Sequence, residues 1–520
     1  MNHAHQFTLS DAARAADPRD GFYSNPIIAG DYPDPSVLRD GDAYYLVASS
    51  FVYYPGLVVW RSTDLVTWSP IGPALTVPLG SVYAPEIVKH EGRFYIYAAV
   101  RAVPQMPAPD GAPRPPIATY VVHADQIEGP WSEPIDLGIH NAIDPGHAVG
   151  EDGKRYLYVS DGTLIPLADD GLSRVGPDER LYDGWDYPAD WEVETFALEG
   201  AKIIRRDGWF YMFSAEGGTA GPPTSHMVVV ARSRSISGPW ENCPHNPIIR
   251  TRSAAEPWWS RGHGTPLEDS SGAWWMIYHG YKNGFRALGR QPLLEPMEWT
   301  ADGWPLATGG DLSEPLHAPN GPRSDGGLPG SGPIDERWFG PRMTFFKPGR
   351  GYLDRIRFDG ESVTLQGQGG SPQDASPLVI NTGDTAYEVS VELELVGPVT
   401  GGLILFYNEE FFCGIASDQE RIRSYHLAAE NPYEAPTPAI GRTLHLRLVN
   451  RGQVGSFYYS SDGMTWTLHR SYEVSGYHHN VAGKYLSLRP AFFAAGEGTL
   501  KMRSMNYTPL QSLEAPSPAS

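Results

Sequence analysis

A turn followed by an aromatic-rich apolar run recurs along the first part of the chain. It reads Gly41-Asp42-Ala43-Tyr44-Tyr45-Leu46-Val47, then Gly92-Arg93-Phe94-Tyr95-Ile96-Tyr97, then Gly153-Lys154-Arg155-Tyr156-Leu157-Tyr158. It returns as Asp207-Gly208-Trp209-Phe210-Tyr211-Met212-Phe213 and as Gly272-Ala273-Trp274-Trp275-Met276-Ile277-Tyr278. Each apolar run predicts a strand. The copies lie roughly 50 to 65 residues apart, which suits a four-stranded propeller blade with its loops. A second signature ends in tryptophan: Ser62 to Trp68, Ile127 to Trp131 and Ile236 to Trp240. A ring at a fixed place in each unit is mostly core packing between blades. The pattern predicts five blades, with an irregular β-sandwich as the competing fold.

From Ala318 to Pro333 the chain becomes a string of Pro, Gly and Ser that cannot hold a core and reads as a linker. Beyond it the pattern changes to strict alternation, as in Tyr387-Glu388-Val389-Ser390-Val391-Glu392-Leu393 and Thr443-Leu444-His445-Leu446-Arg447-Leu448-Val449. These are antiparallel strands with one face buried, and a β-sandwich follows. The expected division is a propeller over residues 1–317, a linker over 318–333, a sandwich over 334–511 and a disordered tail over 512–520. The fold class is all-β.

Composition narrows the partners. The 520 residues carry a formal net charge of −21, with 12% aromatic residues, 57 Gly and 48 Pro. That acidity argues against nucleic acid and anionic membrane surfaces. Many rings without a basic patch suit sugars, whose C–H faces stack on them. The two cysteines, Cys243 and Cys413, stand in apolar surroundings and are expected to be buried free thiols. Met1 to Asp20 contains no apolar core of a secretion signal, and no later run has the length of a membrane span, so a cytoplasmic location is expected. The chain could act as a homo-oligomer.

One end of a propeller channel gathers residues from the innermost strand of every blade, so carboxylates distant in sequence can meet there. Asp34 lies between Pro33 and Pro35 ahead of the first strand, which holds it in a stiff segment. Asp144 repeats the Asp-Pro arrangement, and Glu199 is followed by Gly200, which lets the backbone turn beside it. Glu192 and Glu194 are rivals to Glu199. Taken alone, Asp34 also reads as an ordinary turn aspartate.

In this order the three segments resemble glycoside hydrolase family 43. The resembling residues are Asn25-Pro26 with Pro33-Asp34-Pro35-Ser36, then Ile143-Asp144-Pro145, then Glu199-Gly200-Ala201-Lys202-Ile203 followed by Asp207-Gly208. The resemblance runs from about Asn25 to about Leu306 and continues into something like a concanavalin-type sandwich. It implies an inverting exo-glycosidase that removes terminal β-D-xylosyl residues from short xylo-oligosaccharides, or an α-L-arabinofuranosidase or an enzyme with both activities. By position, Asp34 would be the general base, Glu199 the general acid, and Asp144 the group that orients Glu199 and raises its pKa. Inversion calls for two carboxyls roughly 6.5–9.5 Å apart.

Softer likenesses imply that Phe51 and Tyr83 wall the sugar, that Arg290 in Leu288-Gly289-Arg290 contacts hydroxyls and the acidic pair, and that His263 lies in the channel. A satisfied buried histidine and a structural ion-pair arginine are the plainer alternatives. No cofactor is required by this reading, although the resemblance allows a structural calcium. Tyr83-Ala84-Pro85-Glu86 stands where relatives have Trp-Ala-Pro-Asp, and Glu199-Gly200 lacks the usual proline. Val103 to Pro116 and Trp185 to Trp191 look like rim insertions, with Trp185, Tyr187 and Trp191 able to stack on a second sugar or simply to pack. A non-catalytic carbohydrate-binding propeller is the alternative of another class. The resemblance to two-domain members implies that the sandwich packs on the propeller and helps close the pocket through aromatics such as Phe492 or Phe493. An independent carbohydrate-binding module is the other reading of that domain.

Overall fold

The computed structural model describes residues 21–104, 106, 115–320, 331–431, 437–438 and 443–511. Five antiparallel four-stranded sheets follow one another in chain order, the fourth carrying one extra short strand. These are the blades of a propeller. Each innermost strand pairs with the aromatic-rich run: Ser36–Asp40 with Ala43–Val47, Ser81–His90 with Arg93–Arg101, Gly146–Val149 with Arg155–Val159, Glu199–Arg206 with Trp209–Glu216, and Trp258–Glu268 with Trp274–Lys282. The repeated motif is therefore the second strand of every blade. It is almost wholly buried because a blade has neighbours on both faces. The closing tryptophans pack as expected: the Trp240 ring lies 5.8 Å from that of Tyr158 in the preceding blade and its indole N–H donates to the Tyr158 hydroxyl at 3.0 Å.

The ring is closed by the chain's own start. Asn25 accepts the Leu294 N–H at 2.8 Å and donates to the Leu294 carbonyl at 2.9 Å, so its side chain joins the last blade as a strand would. Phe22–Tyr23 pairs with Leu316–His317 beside it.

The second unit is a two-sheet sandwich. Its alternating strands behave as the pattern requires: in Thr443–Arg451, Leu444, Leu446 and Leu448 are fully buried while the residues between them are not. Gly332–Pro333, assigned to the linker on composition, instead pairs with Thr499–Pro509 at a sheet edge, where two residues without bulky side chains fit. Residues 321–330 of that linker, most of the Val103 to Pro116 insertion and the tail over 512–520 lie outside the described residues. The domains are joined by more than the linker. Tyr53–Tyr54, from a propeller loop, pairs with Met343–Phe346 and so adds a strand to the sandwich. Cys243 and Cys413 are both buried and free. Among the described residues, no helix is long and apolar enough to cross a membrane.

Candidate active site

The pairing registers align the five innermost strands. Ser36, Glu86, Gly146, Lys202 and Thr265 face equivalent positions in their second strands. Two residues earlier stand Asp34, Ala84, Asp144, Gly200 and His263. Four of these five take a left-handed backbone, with φ of 58° at Asp34, 57° at Asp144, 65° at Gly200 and 58° at His263. For residues with a Cβ that conformation is strained and persists only where the surroundings enforce it. Here it interrupts the strand at one level of the channel in several blades.

The level so made holds the predicted carboxyls. Asp34 and Asp144 are buried, and His263 is wedged between them, its Nδ1 lying 3.6 Å from Asp34 Oδ1 and 3.8 Å from Asp144 Oδ2. Glu199 reaches the same histidine: ligand atoms of Glu199, His226 and His263 lie within 4.8 Å of one another. A Cβ on Gly200 would come within 2.9 Å of the His263 ring, so the glycine after Glu199 is required by close approach as well as by its φ. His263 Nε2 has no partner among the described residues. Burial holds it neutral, lowering its pKa to about 3.

Asp34 is the most heavily served. Arg290 donates to its Oδ1 at 2.9 Å and Ser49 to its Oδ2 at 2.5 Å; His279 Nδ1 accepts the Asp34 N–H at 3.0 Å and lies 3.2 Å from Oδ1. Burial alone would raise the pKa of this carboxyl, but the Arg290 guanidinium leads the opposing causes and Asp34 is held well below the usual carboxylate range. Glu199, half-buried, is displaced the other way, pushed up to about 8 by burial and then by the charge of Asp34. Asp144 is also raised, by burial first and then by Glu199 and Asp34. Within one ring, Asp34 is thus biased toward the carboxylate while Glu199 and Asp144 are biased toward the acid.

Two residues deeper, charge is matched instead. Lys202 is buried, donates to the Glu86 carboxylate, and lies 3.2 Å from the Pro85 carbonyl, while Ser36 donates to the same Glu86 oxygen at 2.8 Å. The fourth blade reaches the second across the third because Gly146 there has no side chain; a Cβ on it would meet the Ala201 carbonyl at 1.7 Å.

At the mouth, the Arg290 guanidinium lies 5.7 Å from the ring centres of both Phe51 and Tyr485, and Phe51 packs edge-on against Tyr83 at 5.8 Å. Tyr485 comes from the sandwich. Phe492 and Phe493 do not reach the site. They lie in the central strand Arg489–Gly496, fully buried between two neighbouring strands, because that run is continuously apolar and belongs to the sandwich core. The rim aromatics pack on one another and on the blades: Trp185 lies edge-on to Trp191 at 5.9 Å, Tyr187 stacks on Phe196, and Arg250 covers Trp191 at 3.4 Å. Glu192 and Glu194 are exposed, and Glu194 caps the Ala220 and Gly221 N–H groups.

Sequence reading missed Ser49 and His279. They stand at equivalent places, two residues beyond Val47 and Ile277 in their second strands, so aligning the repeat copies one step further would have exposed both. It also missed His226, stacked on His279 at 5.2 Å with neither ring nitrogen partnered among the described residues. Glu199, His226 and His263 offer one carboxylate and two imidazoles, and calcium prefers an all-oxygen cage, so this cluster does not fit the calcium that the resemblance allowed.

Comparison with known proteins agrees with this arrangement. The description Glycosyl hydrolases family 43 matches residues 23–305. The chain is 34% identical over 342 residues to a xylan 1,3-beta-xylosidase of a Vibrio species, covering 57% of this chain and 60% of that protein. It is 33% identical over 316 residues to the non-reducing end alpha-L-arabinofuranosidase BoGH43B of Bacteroides ovatus, covering 58% of this chain and 56% of that one. The match therefore spans little more than half the length of these relatives. In three dimensions the chain superposes on the GH43 protein BlXynB of Bacillus licheniformis with a TM-score of 0.83 at 26% identity, over 94% of this chain and all of that one. A five-bladed channel with its three motif carboxyls in one ring, matched over more than half the sequence, places the assignment beyond the resemblance of short motifs: the chain belongs to glycosyl hydrolases family 43.

Proposed function

We propose that the protein is an inverting exo-glycosidase that removes terminal β-D-xylosyl residues from short xylo-oligosaccharides. The observation that carries this reading is the opposed ionisation of Asp34 and Glu199 within one channel ring. Asp34, kept as carboxylate by Arg290, takes a proton from water as that water's oxygen bonds to the anomeric carbon. Glu199, kept protonated, gives its proton to the glycosidic oxygen as the carbon–oxygen bond breaks. The sugar leaves with inverted configuration, and the two carboxyls return to their starting states by exchanging one proton each with solvent. Asp144 stands in the same ring, its pKa raised by burial and then by Glu199 and Asp34, and is read as the group that orients Glu199 and modulates its pKa. A purely sugar-binding propeller would gain nothing from such a split. The two carboxyls supply both proton transfers, so the reaction as written uses no cofactor.

The relatives' names support two pentose substrates, and α-L-arabinofuranoside cleavage is the second reading. Turnover of nitrophenyl β-xyloside and nitrophenyl α-L-arabinofuranoside ranks the two, and proton NMR of the first-formed anomer tests inversion. Asp34→Ala and Glu199→Ala serve as controls. Undiminished turnover in both would overturn the assignment of roles, and tight oligosaccharide binding with no product would favour the non-catalytic alternative.

A further inference from the structure

The segment that carries Asp34 into the channel is gripped from the other domain. Asn381 of the sandwich holds the backbone of Asp31 on both sides, its Oδ1 accepting the Asp31 N–H at 2.9 Å and its Nδ2 donating to the Asp31 carbonyl at 3.1 Å. Asn381 is itself fixed by Arg342, whose Nε donates to the Asn381 carbonyl at 3.1 Å. The buried Asp31 carboxylate faces Arg489 of the sandwich at 3.4 Å through one oxygen. Through the other it accepts the Arg290 N–H at 3.0 Å, and the next residue, Tyr32, donates its N–H to the Arg290 carbonyl at 3.1 Å.

Glycines make this approach feasible. A Cβ on Gly383 of the sandwich would lie 2.4 Å from the Gly30 nitrogen, and a Cβ on Gly289 would lie 2.3 Å from Asp31 Oδ1. The glycine of Leu288-Gly289-Arg290 thus makes room for Asp31. Asp31 touches both arms of the Asp34–Arg290 ion pair: it precedes Asp34 in a stretch stiffened by Pro33 and Pro35, and it holds the peptide of Arg290. A buried carboxylate is a costly way to glue two domains, since well-packed apolar groups do that as well or better.

We infer that Asp31, clamped by Asn381 and Arg489, is a positioning residue through which the sandwich sets the placement of Asp34 against Arg290. The inference rests on Asp34 acting as the general base. It gives the sandwich a part in catalysis from behind the carboxylate, separate from any wall that Tyr485 forms at the mouth.

The test compares Asp31→Ala, Asp31→Asn, Asn381→Ala and Gln453→Ala in the intact chain. Gln453 donates to the Gly284 carbonyl at 3.0 Å elsewhere on the same interface and reports generic loosening. Asp31→Ala is expected to lower kcat on the nitrophenyl glycoside about 100-fold with KM within about threefold, the signature of misplaced reacting groups. Asp31→Asn keeps an acceptor for the Arg290 N–H and should recover to within about tenfold of wild type. Asn381→Ala should lose about tenfold, and Gln453→Ala should match wild type. Wild-type kcat in Asn381→Ala, or an equal loss in Gln453→Ala, would overturn the inference. Asp34→Ala run alongside separates the two readings: turnover indifferent to Asp34 sinks the catalytic assignment alone. The joint is then judged from a crystal structure of Asn381→Ala. An Asp34–Arg290 separation grown beyond 2.9 Å supports it, and an unchanged one refutes it.

Discussion

Two residues of strand separate two layers of the same channel that handle buried charge in opposite ways. In the deeper layer Lys202 and Glu86 meet directly, and Ser36 donates to the same Glu86 oxygen, so the two opposite charges are paired. In the outer layer Asp34, Asp144 and Glu199 outnumber the one guanidinium, and Arg290 is committed to Asp34. The excess is settled by protonation: Asp34 keeps its charge, and Asp144 and Glu199 are pushed toward the acid form. Burial is the first cause acting on all three carboxyls, so burial cannot be what distinguishes them. What distinguishes them is which one owns the arginine. Matched charge makes a staple, and mismatched charge makes an acid and a base.

The comparison breaks most sharply when one proton-transfer group of the outer layer is removed. Asp34→Asn and Glu199→Gln should each lower kcat/KM about 10³-fold on a natural xyloside. On a nitrophenyl glycoside, whose leaving group needs little protonation, Glu199→Gln should lose far less; equal losses on the two substrates would move the acid elsewhere. In the deeper layer, Lys202→Met strands the Glu86 carboxylate and should cost about 3–5 kcal/mol in denaturant unfolding. Glu86→Gln added to it should restore most of that. Failure to restore would mean that the pair does more than neutralise itself.

The titration of the outer layer sharpens the same contrast. Plotted against pH, kcat/KM should fall above about 8 as Glu199 loses its proton, and on the acid side only below the ordinary carboxylate range as Asp34 gains one. Stability follows with opposite signs. The folded pKa of Asp34 is depressed, so its contribution is present above the unfolded value and lost as pH falls through the folded one. The folded pKa of Glu199 is raised, so its contribution is complete below the ordinary glutamate value and is lost as pH rises through about 8. Glu199→Gln should therefore gain stability relative to wild type between those limits, measured as Tm at several pH values. The smallest expected effect is at the mouth: Tyr485→Leu should raise KM about threefold at unchanged kcat.

Most of this was legible where the chain repeats itself. The five aromatic runs fixed the number of blades because each is the second strand of one, and Asp34 and Asp144 could be paired because Asp-Pro recurs at the same place in two units. Legibility ended where a residue's neighbours come from outside its own repeat. His279 and Ser49 need an alignment of second strands to be noticed, and Tyr485 sits in a sandwich loop with no period at all. Phe492 and Phe493 were misplaced because an apolar pair in a central strand has the same local sequence as an apolar pair on a binding wall; only the flanking strands decide. Asn25 served as a family signature, yet what it does is close the ring, which no local pattern announces.

The strand that Tyr53–Tyr54 contributes to the sandwich bears on how this architecture can be taken apart. Cutting at the linker would leave Met343–Phe346 as an uncovered sheet edge on one piece and a short unpaired ribbon on the other, beside Phe51. Exposed edges of that kind recruit foreign strands. The sandwich is therefore a poor module for transfer onto another propeller unless the acceptor brings its own copy of the Ser50 to Gly56 loop. A designer who moves the two together moves the pocket wall as well.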